Sequence, residues 1–259
     1  MNAAPPRILV IAGSDSGGGA GIQADIKTIT MLGGYAMTAI TALTAQDTRG
    51  VHAVEPASPA MVAAQIDACL ADIGADAIKI GMLGSADVAA LVADRLEAVR
   101  VPIVFDPVMV ATSGGVLADA ATIAGFERLM ALATLTTPNV AERDALGGAA
   151  ALDARGIAWL AKGGDAAGAT VTDTLHVPGQ GPRSWSAARV HTLHTHGTGC
   201  TLASAIATGL GGGLPLADAI ERARAFVRAA LAAAPGLGGG NGPLGHAAVR
   251  DQALGLPSS

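Results

Sequence analysis

The sequence predicts an α/β fold in which helices cover both faces of a mostly parallel sheet. Short aliphatic runs typical of buried strands alternate with longer stretches of helical periodicity along most of the chain. The 259 residues are 51% hydrophobic but only 2% aromatic and include 35 glycines, which favours close packing of helices on a sheet. We expect a single domain over residues 1–259, with a tail from about residue 236 that carries no assigned function.

Charge and cysteine content exclude several classes of function. The formal net charge is −5 and no run of Lys or Arg occurs, so nucleic acid is not expected as a partner. Cys69 and Cys200 form no CxxC or Cys/His spacing, which argues against a disulfide framework or a zinc site. The N-terminus lacks a signal-peptide pattern, and every long apolar stretch is interrupted by Gly or charge. We therefore expect a cytoplasmic protein without a membrane segment that binds a small molecule.

The first half of the chain contains aliphatic runs that we predict to be strands buried on both faces: residues 7–12, 38–46, 76–82 and 101–105. Between them, apolar residues recur at helical spacing in residues 22–32, 59–73 and 86–99. A glycine loop, Ser14 to Gly21, joins the first strand to the first helix. This alternation predicts a parallel, doubly wound sheet.

The second half continues the alternation and then changes to an antiparallel edge. Strands are predicted at 135–139 and 156–161, after a helix at 119–132. Two further runs flank a turn rich in Pro and Gly and are expected to pair in an antiparallel manner: residues 169–177 and 183–190. Two helices complete the fold, at residues 199–210 and 216–234.

Polar residues follow several of the predicted strands at the point where each strand ends. Gly13-Ser14-Asp15 ends the first strand, Gln46 the second and Asp106 the fourth. Because the carboxyl ends of parallel strands share one edge of a sheet, we expect these residues to lie together there. That edge is the predicted ligand site.

The stretch Thr195 to Thr201, THGTGCT, precedes an apolar, Ala-rich helix. Its small residues leave the first N–H groups of the helix free to bind an anion, and the helix dipole adds partial positive charge there. We expect the amides of Gly197, Thr198 and Gly199 to hold a phosphoryl group during transfer. Cys200 lies where a thiol is expected to lose its proton more easily. The alternative is a glycine-rich turn beside a buried structural cysteine.

Carboxylates near two strand ends indicate a magnesium site. Asp106 and Glu142 would hold Mg²⁺ through water, since Mg²⁺ takes few direct protein ligands, and Asn139 would orient that water. Lys162 follows a strand and would reach nucleotide phosphates as a point charge. Each residue alone also fits a structural role: a turn cap for Asp106, an ordinary first-turn acid for Glu142, a solvated charge for Lys162. Their joint placement at successive strand ends predicts a phosphotransfer site.

A competing pattern predicts a dinucleotide-binding enzyme. Gly19 to Ala24 fits the GxGxxG/A fingerprint after a strand, and Asp47 follows at the next strand end. However, the turn from Gly13 to Gly21 is longer than the fingerprint requires, and the glycine turn at 197–200 would have no role. No Gly-Lys-Ser/Thr follows the first strand, which excludes a P-loop kinase.

Several motifs occur in order between residue 7 and about residue 231: GSDSGGGAGIQADIKT (13–28), TALTAQDT (41–48), KIGML (79–83), DPVMVATSG (106–114), TPNVAE (137–142), KGG (162–164) and THGTGCT (195–201). Together they closely resemble the hydroxymethylpyrimidine/phosphomethylpyrimidine kinases, the thiamine-biosynthesis members of the ribokinase-like fold. The resemblance is specific because several long motifs occur in the family's order.

The resemblance implies a ribokinase-like three-layer α/β/α sandwich that uses ATP and Mg²⁺ and forms a homodimer. It implies phosphorylation of 4-amino-5-hydroxymethyl-2-methylpyrimidine and then of its monophosphate. It further implies that Gln46 hydrogen-bonds the pyrimidine and that Cys200 accepts the hydroxymethyl proton. The residues implied to line the pyrimidine pocket are Gly13, Asp25, Met82 and Val108, and those implied to bind the nucleotide are Asn139, Lys162, Gly163 and Thr198.

The chain departs from the family pattern in two places. Between Glu142 and Lys162, at residues 147–155, relatives carry one further helix that we expect to be missing here, which would weaken ATP binding. Asp47 and Asp165 stand where relatives often carry Asn and His, and both add negative charge near the phosphates. Two alternatives stay open: a pyridoxal or pyridoxine kinase on the same fold, and a pyrimidine-binding relative that has lost catalysis.

Overall fold

The computed structural model describes residues 4–110, 115, 117–164 and 166–249, and nine strands within them form one sheet. In chain order they are β1 (Arg7–Asp15), β2 (Tyr35–Gln46), β3 (Val51–Pro56), β4 (Ala77–Ile80), β5 (Ile103–Phe105), β6 (Leu135–Thr136), β7 (Trp159–Ala161), β8 (Thr170–His176) and β9 (Arg183–Ala188). Their order in the sheet is β3-β2-β1-β4-β5-β6-β7-β8-β9. The neighbours from β2 to β7 are parallel, whereas β3, β8 and β9 pair in an antiparallel manner. The mostly parallel sheet is therefore confirmed.

The described residues contain the α-helices α1 (Gly21–Met31), α2 (Pro59–Asp72), α3 (Ala86–Leu96), α4 (Ala120–Leu132), α5 (Val140–Ala145), α6 (Gly148–Ala154), α7 (Thr198–Gly211) and α8 (Leu216–Ala232). Side chains of α1, α7 and α8 pack on one face of the sheet with Ile8 and Val10. Side chains of α2, α3 and α4 pack on the other face with Leu9 and Ile11. Alternate residues of β1 point to opposite faces, so this central strand contributes to both cores of a three-layer α/β/α sandwich.

Helix α7 is buried along most of its length because its small residues let neighbouring elements approach closely. Every residue from Thr201 to Leu210 is buried. A Cβ added at Gly209 would lie only 3.0 Å from the Cβ of Ala219 on α8. This packing holds the first turn of α7 at the carboxyl edge of the sheet. Throughout the described ranges, no helix is both long enough and apolar enough to span a membrane.

The structure differs from the sequence prediction in two places. The segment expected to lack a helix contains α6, which starts after Gly147 and whose first residue, Gly148, also has a positive φ. The expected loss of a helix is therefore wrong, because the Ala-rich residues that follow favour a helical turn. Strand β3 was not predicted, since nearly all of its residues are exposed and show no buried apolar pattern. Asp165 lies outside the described residues.

The C-terminal tail packs against the end of the fold that carries α7 and α8. A short 3-10 helix covers His246–Ala248. The N–H of Gly245 donates to the carbonyl oxygen of Ala230 at 2.9 Å, and His246 Nε2 lies 2.8 Å from the hydroxyl of Thr201. The tail therefore supports the helix start that the sequence analysis singled out.

Candidate active site

A cavity of about 440 Å³ opens at the carboxyl edge of the parallel strands. It brings together most of the site residues that the sequence analysis predicted. Those that line it are Gly13, Gln46, Met82, Asp106, Val108, Asn139, Glu142, Lys162 and the turn from Gly197 to Cys200. Two of the predicted residues, Asp25 and Gly163, lie elsewhere.

The first turn of α7 depends on glycine at two positions. Gly197 has a φ of 89°, and an added Cβ would overlap the carbonyl oxygen of Gly19. Gly199 lies beside an ion pair, since an added Cβ would be 3.4 Å from both Asp106 Oδ2 and Lys162 Nζ. The N-terminal amides of α7 therefore border the cavity next to an ammonium group, where an anion is stabilised.

Lys162 is the charged centre of this part of the cavity. Its Nζ lies 2.8 Å from Asp106 Oδ1 and 3.8 Å from Glu142 Oε2, and the hydroxyl of Thr137 donates to the same Asp106 oxygen at 3.1 Å. Burial lowers the pKa of Lys162, but attraction to the two carboxylates outweighs burial and leaves the pKa above its ordinary value. Burial raises the pKa of Glu142 to about 7, with Lys162 opposing the rise and Asp106 adding to it.

The two carboxylates fit a magnesium ion that is held mainly through water and phosphate. Within the residues that the structure describes, no three His, Cys, Asp or Glu side chains form a metal-binding group. Asp106 and Glu142 would therefore supply at most two ligands, which suits Mg²⁺ because it keeps much of its hydration shell. Asp106 Oδ2 lies toward Gly199, on the side of the helix start.

Asn139 has a structural role at the start of the helix that follows it. Its Oδ1 accepts the N–H of Glu142 at 2.8 Å, and Glu142 Oε2 accepts the N–H of Asn139 at 2.8 Å. This reciprocal pair is a capping box that satisfies the N-terminus of α5. The capping box explains why an amide and an acid occur at this spacing after β6.

The thiol of Cys200 is not readily ionised, so that expectation from the sequence is wrong. Burial raises the pKa of the thiol to about 11; Lys79 opposes the rise, while Asp25 and Asp106 add to it. The N–H of Gly21 also donates to the sulfur and lowers the pKa. The helix start does supply positive charge, but low-dielectric surroundings disfavour a thiolate more strongly.

Asp25 forms a closed ion pair beneath the cavity instead of lining it. Its Oδ2 is 2.9 Å from Lys79 Nζ, and neither side chain is exposed. The hydroxyl of Ser204, one helical turn after Cys200, donates to Asp25 Oδ1 at 2.6 Å. The implied contact of Asp25 with the pyrimidine is therefore wrong. The sequence signal for this pair was Lys79, a charged residue inside the apolar run DAIKIGM.

Gly163 packs against β8 rather than against the cavity. Its N–H donates to Asp173 Oδ1 at 2.8 Å, and an added Cβ would overlap the carbonyl oxygen of Thr172. Glycine is needed here because two chain segments approach closely. The next residue, Gly164, is the one that lines the cavity.

Gln46 is flanked by Asp15, which the sequence analysis placed at the same strand-end edge without a specific role, and by His196, to which it gave none. Asp15 Oδ2 lies 2.8 Å from His196 Nε2, and Gln46 Nε2 lies 3.3 Å from the same nitrogen. The sequence signal for both residues was their position inside the motifs GSDSGGG and THGTGCT. Nearby, a Cβ added at Gly13 would overlap the terminal methyl group of Met82, so these two residues form a tightly packed floor.

Comparison with known proteins identifies the family. The family model described as phosphomethylpyrimidine kinase matches residues 15–245. The chain belongs to this family. A hydroxymethylpyrimidine/phosphomethylpyrimidine kinase of Rhizobium meliloti is 46% identical over 92% of the chain and 96% of that protein. A thiamine biosynthesis bifunctional protein of Geobacter sulfurreducens is 45% identical over 92% of the chain and 52% of its own length.

A solved structure shows the same fold. The pyridoxal kinase of Bacillus subtilis, in an ADP complex, matches with a TM-score of 0.86 and 31% identity, over 95% of this chain and 98% of that one. The ribokinase-like three-layer architecture is therefore confirmed. Phosphomethylpyrimidine kinases and pyridoxal kinases share this architecture, so the fold alone does not distinguish their substrates.

The loop that follows β1 argues against the dinucleotide-binding interpretation. The carboxylate of Asp15 accepts N–H groups of the loop that follows it, at 2.8–3.0 Å, from Gly17, Gly19 and Ala20. The loop amides that a pyrophosphate would need are therefore already occupied. Asp47 accepts two N–H groups of its own turn.

Proposed function

We propose that this chain transfers the γ-phosphoryl group of ATP to the hydroxymethyl oxygen of 4-amino-5-hydroxymethyl-2-methylpyrimidine, and then to the phosphate of the monoester. The observation that carries the proposal is that the first turn of α7 lines the same cavity as Gln46 and Asp106. An acceptor alcohol at Gln46 and a donor nucleotide at the helix start would meet there. The family match and the names of the relatives support the same reaction.

The pyrimidine would lie against Gln46, Met82 and Val108, which line one cavity. A carboxamide offers both a donor and an acceptor, and these match the edge of an aminopyrimidine. The side chains of Met82 and Val108 supply apolar surface for a flat ring. Glycine at position 13 keeps Met82 in place, because a side chain there would displace it.

The first-turn amides of α7 and the ammonium group of Lys162 would stabilise the phosphoryl group in transfer. The acceptor oxygen forms a bond to the γ-phosphorus while the bond from that phosphorus to the bridging oxygen breaks and releases ADP. The transition state is loose, so the main task of the protein is to align these groups and to spread their negative charge. Asp106 and Glu142 would hold Mg²⁺, which when bound adds positive charge beside the phosphates.

The nucleotide contacts proposed for Thr198 and Asn139 rest on their positions in the lining of the cavity. Thr198 is the first residue of α7, and its hydroxyl donates to the carbonyl oxygen of Thr195 at 2.6 Å. Its backbone N–H donates to the same oxygen at 3.2 Å, so Thr198 would contact a phosphate only by giving up or sharing one of these two bonds. For Asn139, whose side chain caps α5, the proposed contact is limited to the groups that the capping box does not use.

Cys200 is the proposed acceptor of the hydroxymethyl proton. The thiolate is scarce near neutral pH because burial raises the pKa of the thiol to about 11. A loose transition state requires little activation of the attacking oxygen, so a small thiolate population suffices to take the proton as the new bond forms. The positive charge of Lys79 stabilises that thiolate.

Pyridoxal is the second candidate substrate, favoured by the pyridoxal kinase that matches this fold. It also carries a hydroxymethyl group on a flat ring. The relative named as a pyrimidine kinase is 46% identical, against 31% for the pyridoxal kinase, which favours the pyrimidine. The alternative of a binding protein without catalysis loses its supporting observation, because α6 fills the segment that was expected to lack a helix.

An ADP-release assay with three acceptors tests the proposed substrate. We expect rapid turnover of the hydroxymethylpyrimidine and of its monophosphate, and slow turnover of pyridoxal. Much faster turnover of pyridoxal would assign the chain to that substrate instead. Pyrimidine binding in a calorimeter without ATP binding or ADP release would indicate a binding protein.

We further propose a cytoplasmic homodimer. Leu43 on β2, next to the edge strand β3, is 55% exposed, and a large exposed apolar side chain near a sheet edge is typical of an association surface. Cys69 and Cys200 are both free thiols, which suits a reducing compartment. Light scattering should give the mass of a dimer for the wild type and of a monomer for Leu43→Asp; a monomeric wild type would contradict the dimer.

A further inference from the structure

Beside Gln46, the cavity wall contains a buried chain of hydrogen bonds that phosphoryl transfer does not use. Asp15 Oδ2 and His196 Nε2 are 2.8 Å apart, and their side chains are 3% and 4% exposed. Gln46 Nε2 lies 3.3 Å from the same imidazole nitrogen, and Gln46 Oε1 lies 3.2 Å from the hydroxyl oxygen of Thr44. One imidazole nitrogen therefore faces both a carboxylate and a carboxamide.

The bonds to Asp15 locate the hydrogen on this imidazole nitrogen. Burial raises the pKa of Asp15, but hydrogen bonds from His196 and from loop N–H groups outweigh burial and leave the pKa below its ordinary value. Asp15 Oδ2 already accepts the N–H groups of Gly19 and Ala20, at 3.0 and 2.8 Å. An ionised carboxylate can only accept hydrogen bonds. His196 Nε2 must therefore carry the hydrogen that lies between it and Asp15.

That hydrogen decides how the carboxamide of Gln46 is turned. The oxygen and nitrogen of a carboxamide occupy nearly the same space, and the hydrogen-bond network decides which is which. An NH₂ group there would place a second donor 3.3 Å from a nitrogen that is itself a donor, whereas a carboxamide oxygen would be a second, weaker acceptor for the hydrogen that Nε2 donates to Asp15. Thr44 favours the same choice, because its hydroxyl donates to the carbonyl oxygen of Ser14 at 2.9 Å. The Thr44 oxygen is then free to accept from the Gln46 NH₂ group.

We infer that Asp15, His196 and Thr44 are positioning residues that fix the Gln46 carboxamide with Oε1 toward His196 and Nε2 toward Thr44. In this orientation one lone pair of Oε1 and one hydrogen of Nε2 remain for a ligand. They match a ring nitrogen beside an amino group, as on the edge of a 4-aminopyrimidine. The inference rests on the proposed function and deepens it, because the amino group of the substrate is then recognised by a fixed acceptor.

Backbone packing holds the imidazole of His196 in place. A Cβ added at Gly19 would overlap the His196 ring, and one added at Gly197 would overlap the carbonyl oxygen of Gly19. The N–H of His196 donates to the carbonyl oxygen of Gly242 at 3.1 Å, which ties the residue to the C-terminal tail. The group that orients Gln46 is therefore rigid, as a fixed carboxamide requires.

Two matched pairs of variants test the inference. Thr44→Val removes the acceptor for the Gln46 NH₂ group while keeping the side-chain shape, and Thr44→Ser keeps the acceptor. His196→Leu removes the N–H donor, and His196→Gln keeps a donor near the same place. For each variant, kcat and KM are measured by ADP release with the aminopyrimidine and with its analogue that lacks the 4-amino group.

The wild type should prefer the aminopyrimidine by about tenfold to hundredfold in kcat/KM, because the analogue leaves a buried acceptor unpaired. In Thr44→Val and His196→Leu we expect KM for the aminopyrimidine to rise about tenfold with kcat within about threefold. The preference itself should shrink at least about fivefold, since a carboxamide that can turn no longer discriminates. Thr44→Ser and His196→Gln should keep most of the preference.

An unchanged preference in Thr44→Val and His196→Leu, or an equal loss for both pyrimidines, would overturn the inference, because a purely structural defect does not distinguish the two ligands. Should His196→Leu fail to fold, the Thr44 pair decides alone. A wild type that does not phosphorylate the aminopyrimidine would instead overturn the proposed function. The two failures are therefore distinguishable.

Discussion

Two lysine–aspartate pairs near the site have almost the same ion-pair distance but different access to solvent. The ion-pair distance is 2.9 Å for Lys79 and Asp25 and 2.8 Å for Lys162 and Asp106. Both side chains of the first pair are 0% exposed, whereas Lys162 is 12% exposed and lines the cavity. The same residue types therefore form one closed pair inside the protein and one open pair that a ligand can reach.

The difference in exposure indicates which charges stabilise the fold and which are available to a ligand. In the closed pair each charge has only protein partners, so removal of one charge leaves the other uncompensated. In the open pair, water or phosphate can replace a missing partner. We therefore expect Lys79 to matter most for stability and Lys162 for phosphoryl transfer. Charges from both pairs act on the thiol of Cys200.

The largest effect on turnover is expected at Cys200. Cys200→Ala should lower kcat by about 10²-fold or more, because general bases contribute about 10²–10⁴-fold, while KM for the pyrimidine changes little. Cys69→Ala is the matched control and should keep kcat within about twofold, since Cys69 packs against the apolar core on the other face of the sheet. Steady-state ADP release measures both. Unchanged turnover in Cys200→Ala would remove the thiol from the mechanism.

The pH dependence sharpens this prediction. Because burial raises the pKa of the Cys200 thiol to about 11, the thiolate fraction grows about tenfold per pH unit below that value. The wild-type kcat should therefore rise with pH from neutral into the alkaline range, and Cys200→Ala should lack the rise. A wild-type kcat that stays flat from about pH 7 to about pH 9 would show that the thiolate is not the active form.

The closed pair should give the largest loss of stability. Lys79→Met leaves Asp25 buried without its cation, and we expect the free energy of unfolding to fall by about 3–5 kcal/mol. The double variant Asp25→Asn/Lys79→Met should regain part of that loss, because no uncompensated charge remains. Urea unfolding followed by circular dichroism measures both. A loss below about 1 kcal/mol in Lys79→Met would contradict the role assigned to the closed pair.

The open pair should show the reverse balance. Lys162→Met should lower kcat by about 10²-fold, the usual effect of removing one preorganised charge or donor from a transition state. It should cost less stability than Lys79→Met, because Asp106 can be hydrated from the cavity. The same two assays apply. Equal losses of stability in the two lysine variants would contradict the distinction between the pairs.

The smallest effect is expected at a pair on the surface. Arg7 and Asp76 form an ion pair of 2.6 Å, with side chains 43% and 33% exposed. Arg7→Met should lower the free energy of unfolding much less than Lys79→Met does, because solvent screens such pairs. If Arg7→Met lost as much stability as Lys79→Met in the same unfolding assay, solvent exposure would not predict how much each of the three ion pairs contributes to stability.

Much of the fold could be predicted because its strands and helices carry strong local patterns. The aliphatic run of β1 and the Ala-rich run of α7 each lie close to their predicted bounds. Strand β3 could not be predicted, since its side chains are mostly exposed and an edge strand needs no apolar pattern. Helix α6 was not predicted, although the alanines in it favour a helical turn.

The site was predictable where a residue's role follows from its place at a strand end or helix start. Gln46, Asp106 and Lys162 all line the cavity for that reason. The ionisation of Cys200 was not predictable, because it depends on how deeply the thiol lies below the surface. The pairing of Asp25 with Lys79 was equally hidden, since the two residues are far apart in the chain and meet only when α1 packs on the sheet.

The most direct test of the account is a competition between two acceptors in one reaction. With ATP and Mg²⁺ present, equal concentrations of the aminopyrimidine and pyridoxal compete for the enzyme, and mass spectrometry of the phosphorylated products gives the ratio of the two kcat/KM values. We predict an excess of pyrimidine phosphate of at least about tenfold. An excess of pyridoxal phosphate, or the absence of any phosphorylated product, would contradict the claim that the cavity between Gln46 and the start of α7 phosphorylates an aminopyrimidine.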